Sequence, residues 1–334
     1  MILVTGSTGF VGSHLLYHLC VENDEIRAIY RTKSSLEKVK KVFSYYTSDK
    51  NLFNKISWFK ADITKVPDMI LAFENVSQVY HCAAFISFNP KDYREMRKVN
   101  IHGTAIIANL AIDAKVDKLC YVSSIAALGD AKIGEEYITE ECELNKELDN
   151  SGYAITKFGG EMEIWRASQE GVKVVIVNPG VILGGGFWNS GSGKLFSQVH
   201  KGFNYYTEGI TGFVGVRDVV NTMILLMTSE IKNERFILVS ENKTYKDVLF
   251  QIADNLGVKR PKQKIKPWQT SFVWRISSLL SKLTGKAPLL SKYSARSSHS
   301  ISKYSSDKLK RSIDFVFLSI DKVIRETATQ FLQG

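Results

Sequence analysis

An alternation of short apolar runs with helix-period segments constrains this chain most. The runs fall at Ile2–Val4, Ile26–Tyr30, Ile56–Phe59, Val79–His81, Leu119–Ser123 and Val172–Asn178. Between them lie helical patterns at Val11–Cys20, Ser35–Tyr46, roughly Met69–Phe73, Tyr93–Ala114 and Tyr153–Glu170. Regular β-α-β order implies a parallel sheet with helices on both faces. The expected fold is α/β, a doubly wound parallel sheet. Ligands of such sheets bind beyond the carboxyl ends of the strands, so the segments that follow the strands hold the chemistry.

At 334 residues the chain is long enough for such a sheet plus a smaller lobe. After the glycine-rich stretch Leu183–Lys194 ("LGGGFWNSGSGK"), which reads as flexible, the alternation weakens. The expected division is a nucleotide-binding domain over 1–182 and about 213–240, and a substrate lobe over about 183–212 and 241–334. Cys20, Cys82, Cys120 and Cys142 have no C-x-x-C spacing and read as reduced, mostly buried thiols, with no metal site. No apolar run is long enough to span a bilayer, and a strand beginning at Ile2 leaves no room for a signal peptide; the expected location is cytoplasmic.

The formal charge is +10, and it is uneven. From Lys259 to Gly334 there are 16 Lys and Arg against 4 Asp and Glu, so the basic excess belongs to this part. Such a surface suits anionic lipid, nucleic acid or an acidic ligand, or is simply solvated; a nucleic-acid partner is not expected. Within it, Trp268, Phe272, Ile276, Leu279, Leu280 and Leu283 form one helical stripe, with Arg275, Lys282 and Lys286 off it. This stripe is expected to pack against the rest of the protein rather than lie on a membrane.

The first run leads into "VTGSTGFVGS", with Gly6, Gly9 and Gly12 spaced three apart. Strand, glycine triplet and helix in that order fit a dinucleotide: a tight turn, backbone close to a pyrophosphate, and a helix N-terminus aimed at phosphate. Thr8, Phe10 and Val11 lie in the same loop. After the second strand, "IRAIYRTKSS" has no carboxylate for ribose hydroxyls; it offers Arg31, with Lys33 close by, for an extra phosphate. NADP(H) is therefore expected over NAD(H). Asp62, followed by Ile63, is placed to accept from an adenine amino group, and Ala83 and Ala84 in "HCAAF" allow a cofactor to lie against backbone.

In "YAITK", Tyr153 and Lys157 share a helix face. A free tyrosine has a pKa near 10. A neighbouring ammonium is expected to lower it toward useful acid–base work. Ser123 and Ser124 follow the fifth strand, where a hydroxyl can steady a substrate oxygen. Asn100 falls mid-helix, against its propensity, where it can hold a water or backbone group that passes protons to Lys157. Phe85, Phe187, Trp188, Tyr205 and Tyr206 are candidates for an apolar substrate wall.

The segments "TGSTGFVG", "HCAA", "NIHGT", "VSS", "YAITK", "NPG" and "FVGVRDVV", in this order from Thr5 to Val220, resemble the extended branch of the short-chain dehydrogenase/reductase superfamily. The resemblance implies a Rossmann-type domain with a C-terminal substrate lobe. It implies a tetrad of Asn100, Ser124, Tyr153 and Lys157, and cofactor contacts at Pro179 and Val181. It also implies a homodimer formed through the two long helices. The segment "VVIVNPGVILGGG" lacks the Arg and Tyr common in sugar-nucleotide epimerases and dehydratases. "NPG", "FVGVRDVV" and Arg31 are similar to the dihydroflavonol reductase-like and hydroxysteroid dehydrogenase-like group. Gly185 and Gly215 depart from that group, which commonly has Pro and His there. The expectation is an NADP(H)-dependent oxidoreductase reducing a ketone or aldehyde of an apolar or ring-bearing small molecule. The alternatives are an epimerase or dehydratase of a nucleotide-linked sugar and a non-catalytic NADP-binding redox sensor.

Overall fold

A computed structural model of the chain describes residues 1–23, 25–145, 147–284 and 290–333. Lys286 and the side chains of Lys282 and Leu283 lie outside the described residues.

Seven parallel strands form the central sheet: β1 (Ile2–Thr5), β2 (Ile26–Tyr30), β3 (Ser57–Lys60), β4 (Gln78–His81), β5 (Lys118–Val122), β6 (Lys173–Pro179) and, later in the chain, β10 (Glu234–Leu238). Their spatial order is β10-β6-β5-β4-β1-β2-β3, so chain direction across the sheet reverses between β1 and β4. Ligands of Rossmann-type sheets enter at that switch point. Alternate strand residues serve opposite layers. Leu3, Leu119, Val174 and Ile176 join one core, while Val4, Cys120, Val175 and Val177 join the other. This two-sided burial makes the strands apolar throughout.

The smaller lobe is built from β7 (Val181–Leu183), β9 (Ile210–Gly215) and β11 (Glu241–Thr244), ordered β11-β9-β7, and from β8 (Tyr205–Tyr206) paired with β12 (Gln263–Lys264). Helices Gly193–His200, Tyr245–Asn255 and Ile320–Leu332 cover it around Phe196, Phe213, Ile252 and Ile324. The 183–194 stretch is tied down: His14 Nε2 pairs with the Gly185 carbonyl at 3.1 Å, and Ser192 Oγ donates to the Ile182 carbonyl. All four cysteines are free thiols, three of them buried. Among the described residues, no helix is long and apolar enough to cross a membrane, and no His/Cys/Asp/Glu group could hold a metal.

Three expectations need correction. The helix expected over Ser35–Tyr46 is α only over Leu36–Phe43, after a 3-10 turn at Lys33–Ser35. The segment Tyr93–Ala114 is not one regular helix, because a π-helical turn, Lys98–Gly103, separates Tyr93–Arg97 from Thr104–Asp113. The stripe on helix Pro267–Thr284 does not pack inward. Trp268, Phe272, Ile276, Leu279 and Leu280 are exposed, while the small polar Thr270, Ser277 and Ser281 are buried. A 3.6-residue period says which residues share a face, not which way the face points.

Candidate active site

At the switch point, Gly6 has φ +64°, and a Cβ there would lie 2.5 Å from the Ala83 backbone nitrogen. A side chain at Gly12 would meet the Gly6 carbonyl at 2.3 Å. Only glycine allows the β1 and β4 loops and the first helix to approach this closely. Helix Phe10–Glu22 begins at Gly9, whose extended backbone carries no side-chain cap, so its first-turn N–H groups are left for a ligand. Thr8 is half-buried in this loop, and Val11 packs partly on the core. Phe10 lies 5.7 Å from Phe187, centroid to centroid.

Arg31 is exposed just past β2, with no hydrogen bond or ion pair among the described residues, and Lys33 is exposed beside it. Burial works against the Asp62 carboxylate. Two hydrogen bonds from Thr64, at 2.9 Å each, and the charges of Arg31 and Lys98 outweigh it and hold the pKa below the usual value. Ile63 is buried in the core with its side chain against Gly103, so only its backbone is left to face a ligand.

Helix Gly152–Gln169 opens with Ser151, whose Oγ accepts from the Ala154 N–H at 3.1 Å. Tyr153 sits in its first turn and Lys157 one turn further. A Cβ at Gly160 would lie 2.4 Å from the Tyr121 hydroxyl and 2.7 Å from the Asn100 carbonyl. This glycine brings the helix down onto β5 and the π turn. Ser124 starts a 3-10 turn at Ile125–Ala127 with its side chain facing the Tyr153 phenol, which it helps to lower. Burial outweighs this and raises the Tyr153 pKa. Ser123 is buried and faces Glu161 instead.

Lys157 departs from expectation. Its ammonium donates to the Tyr121 hydroxyl at 2.8 Å and the Val122 carbonyl at 2.7 Å, and sits 4.3 Å from the centre of the Tyr121 ring. Burial lowers its pKa to about 7, opposed by Glu161. The expected lowering of Tyr153 by the ammonium is absent: burial sets that pKa and Lys157 engages Tyr121 instead. Asn100 also differs. It is fully buried in the π turn, a feature common at functional sites; its Oδ1 accepts from the Phe85 N–H at 2.7 Å, and its Nδ2 donates to the Phe85 carbonyl at 2.9 Å and Thr156 Oγ1 at 3.1 Å. Its own carbonyl accepts from Thr104. It therefore fixes the loop after β4, and its contacts do not lead to Lys157.

Of the five aromatic candidates, Phe85 is held here by Asn100, and Phe187 lies against Phe10 at the glycine loop. Trp188 packs on Phe331 and Phe196 inside the lobe. Tyr205 is exposed beside Phe203, and Tyr206 packs on Phe250. These three are lobe residues: Trp188 packs on the lobe core, and Tyr205 and Tyr206 form β8, which pairs with β12. Phe88, missed in the sequence, lies 5.9 Å from the Tyr153 ring and lines an apolar cavity of about 300 Å³ with Pro90, Tyr93, Ile155 and Tyr293. A larger cavity of about 620 Å³, between residues 135–139, 239–242 and 304–310, contains none of the candidate residues. Pro179 is buried at the end of β6, and Val181 packs partly on the lobe core.

Two further buried groups escaped the sequence. Glu161, one turn past Lys157, accepts from Asn178 Nδ2 at 2.6 Å and pairs with Arg235 of β10 at 3.2 Å. The Asn178 amide also donates to the Ser124 carbonyl at 3.0 Å, linking the serine segment to the tyrosine helix. His81 lies between Thr5 (2.6 Å) and Thr104 (2.9 Å) and stacks on Tyr121; burial lowers its pKa to about 3, so it is neutral. A Y-x-x-x-K-x-x-x-E spacing was readable for Glu161, but its partners are remote in sequence.

The chain matches the model of an NAD-binding family described as "Male sterility protein" over residues 4–245. A putative dihydroflavonol 4-reductase from Synechocystis is 26% identical over 294 residues, covering 85% of this chain and 81% of that protein. Sterol demethylase protein B of Methylococcus capsulatus is 28% identical over 267 residues, covering 79% and 77%. Among solved structures, gox2253 superposes with a TM-score of 0.80 at 25% identity, covering 100% of this chain and 98% of that one. The dTDP-glucose 4,6-dehydratase DesIV of Streptomyces venezuelae, with a TM-score of 0.77 at 16% identity, covers 100% and 97% and shares the fold. The chain belongs to this NAD-binding family, among the extended short-chain dehydrogenase/reductases, and its coarse chemistry is that of an NAD(P)-dependent oxidoreductase.

Proposed function

We propose that this chain is an NADP(H)-dependent reductase of a ketone or aldehyde on an apolar or ring-bearing molecule, with Tyr153 as proton donor. The observation that carries this reading is the meeting of Ser124 and Tyr153 beside the switch point, next to an apolar cavity edged by Phe88.

The cradle fits a dinucleotide: a Cβ at Gly6 or Gly12 would fill it, and the first helix is uncapped where a pyrophosphate would sit. The loop Gly6, Thr8, Gly9, Phe10, Val11 and Gly12 would hold the phosphates. Arg31 and Lys33 would hold the extra phosphate, and Asp62 with the Ile63 backbone the adenine. Ala83, Ala84, Pro179 and Val181 would border the nicotinamide end, and Lys157 would hold the ribose. When bound, the cofactor supplies the hydride.

The residues supply the rest. Burial keeps the Tyr153 phenol protonated at neutral pH, as a proton donor requires. The Ser124 hydroxyl donates to the substrate oxygen and positions it against that phenol. Lys157, held on the Tyr121 hydroxyl and the Val122 carbonyl, would favour the phenolate as the proton leaves Tyr153 only when it is cationic and turned toward that ring. Asn100 acts through the Phe85 backbone, setting one wall of the pocket.

Turnover of a panel of aromatic and alicyclic carbonyls, with NADPH and NADH compared, tests the reading. The expected result is turnover with NADPH over NADH, with the preference lost in Arg31→Ala. Tightly bound NAD that is not released, with no carbonyl turnover, contradicts it.

A further inference from the structure

Helix Pro267–Thr284 is inverted relative to an ordinary surface helix. Its small polar residues face inward: Thr270 Oγ1 pairs with His299 at 3.0 Å, the Ser281 backbone carbonyl accepts from Lys91 at 3.1 Å, and Ser277 is buried. Its large side chains point outward, with Trp268 66%, Phe272 60% and Leu279 60% exposed, and Ile276 and Leu280 beside them. Exposed apolar patches of this kind mark interaction surfaces.

The charge around the stripe narrows the partner. From Lys259 to Thr284 there are seven Lys or Arg and no Asp or Glu. Lys259, Lys262, Lys266 and Arg275 are exposed and make no ion pair among the described residues. An apolar ridge edged by cations complements an anionic lipid surface, where the ridge enters the acyl boundary and the cations meet headgroups. A second copy of the same face would set like charges against each other. Lys91, which tethers the helix, lies in the turn that follows the loop carrying Phe88 to Tyr153, and Ile86 and Phe88 on that loop are also exposed apolar residues. We infer that helix Pro267–Thr284 docks this protein peripherally onto anionic bilayers, without crossing them.

Docking is read without turnover, so it stands or falls separately from the proposed activity. The full chain is floated with phosphatidylcholine vesicles and with vesicles that also contain phosphatidylglycerol. Binding to the phosphatidylglycerol vesicles, weakened by added NaCl, is expected, with at least a roughly ten-fold loss in Phe272→Glu/Leu279→Glu and in Lys262→Glu/Lys266→Glu. All four side chains are exposed, and unchanged circular dichroism confirms that these variants fold. Absence of wild-type binding overturns the inference, as does unchanged binding by Phe272→Glu/Leu279→Glu. A wild-type dimer that this variant makes monomeric, with no vesicle binding by either, assigns the face to a second copy and also overturns it.

Discussion

The helices Gly152–Gln169 and Pro267–Thr284 are both 18 residues long, and they use burial in opposite ways. The first buries a lysine and a glutamate, Lys157 and Glu161, under the site. The second buries Thr270, Ser277 and Ser281 and exposes its tryptophan, phenylalanine and leucines. In both, the face that departs from the ordinary pattern carries the proposed work. A buried charge costs stability unless it is paired; Glu161 is offset by Arg235 and Asn178, whereas Lys157 bonds only a hydroxyl and a carbonyl and is kept at a cost. An exposed ridge of large apolar groups gains nothing for folding and is kept for something outside the chain.

Breaking the first helix at Lys157 has the largest expected effect. Lys157→Met should lower kcat by about 100-fold or more, measured with the best carbonyl substrate. The same variant should be more stable than the wild type at pH 6 by roughly 1–3 kcal/mol, measured by denaturant unfolding. The sign follows from the pKa, which burial lowers from 10.5 to about 7. Below pH 7 the lysine is charged in both states and its desolvation cost is fully present. Between about 7 and 10.5 only the unfolded chain stays protonated, so wild-type stability rises with pH and the gap closes. A gap that widens with pH would contradict the burial account.

Glu161→Gln should act less strongly. Glu161 raises the Lys157 pKa, so removing its charge should move the alkaline limb of the kcat/KM profile for reduction down by about one pH unit, with roughly a five-fold loss at pH 7 that approaches ten-fold at higher pH. If stability falls and the pH profile stays put, Glu161 is only a structural brace for Arg235 and Asn178.

The smallest effect is expected on the exposed helix. Phe272→Glu/Leu279→Glu should change folding stability by no more than about 0.5 kcal/mol and leave turnover of a water-soluble substrate unchanged. A loss of several kcal/mol would mean that the ridge is packed after all.

Strands β1, β2, β4, β5 and β6 lie within a residue or two of the apolar runs in the sequence, because strands buried on both faces are apolar throughout. The switch-point turn was legible because Gly6, Gly9 and Gly12 answer a local backbone demand. Features set by distant contacts were not legible. The π turn at Lys98–Gly103 accompanies the bonds between Asn100 and the Phe85 backbone, fifteen residues back. Capture of Lys157 by Tyr121 depends on the close approach at Gly160, and the Glu161–Arg235 pair spans 74 residues onto a strand added after the lobe begins. The outward turn of the 267–284 stripe goes with the inward contacts of Thr270 to His299 and of the Ser281 carbonyl to Lys91, and no local period encodes those.

The central claim is that Tyr153 gives its proton to a substrate carbonyl. Tyr153→Phe keeps the ring that packs near Phe88 and removes only the hydroxyl. The decisive measurement is single-turnover oxidation of NADPH by this variant, alongside its cofactor affinity by fluorescence titration. The account predicts a rate lowered by roughly 1,000-fold or more with affinity changed less than about three-fold. A rate within a few-fold of the wild type, with the cofactor bound normally, would contradict it.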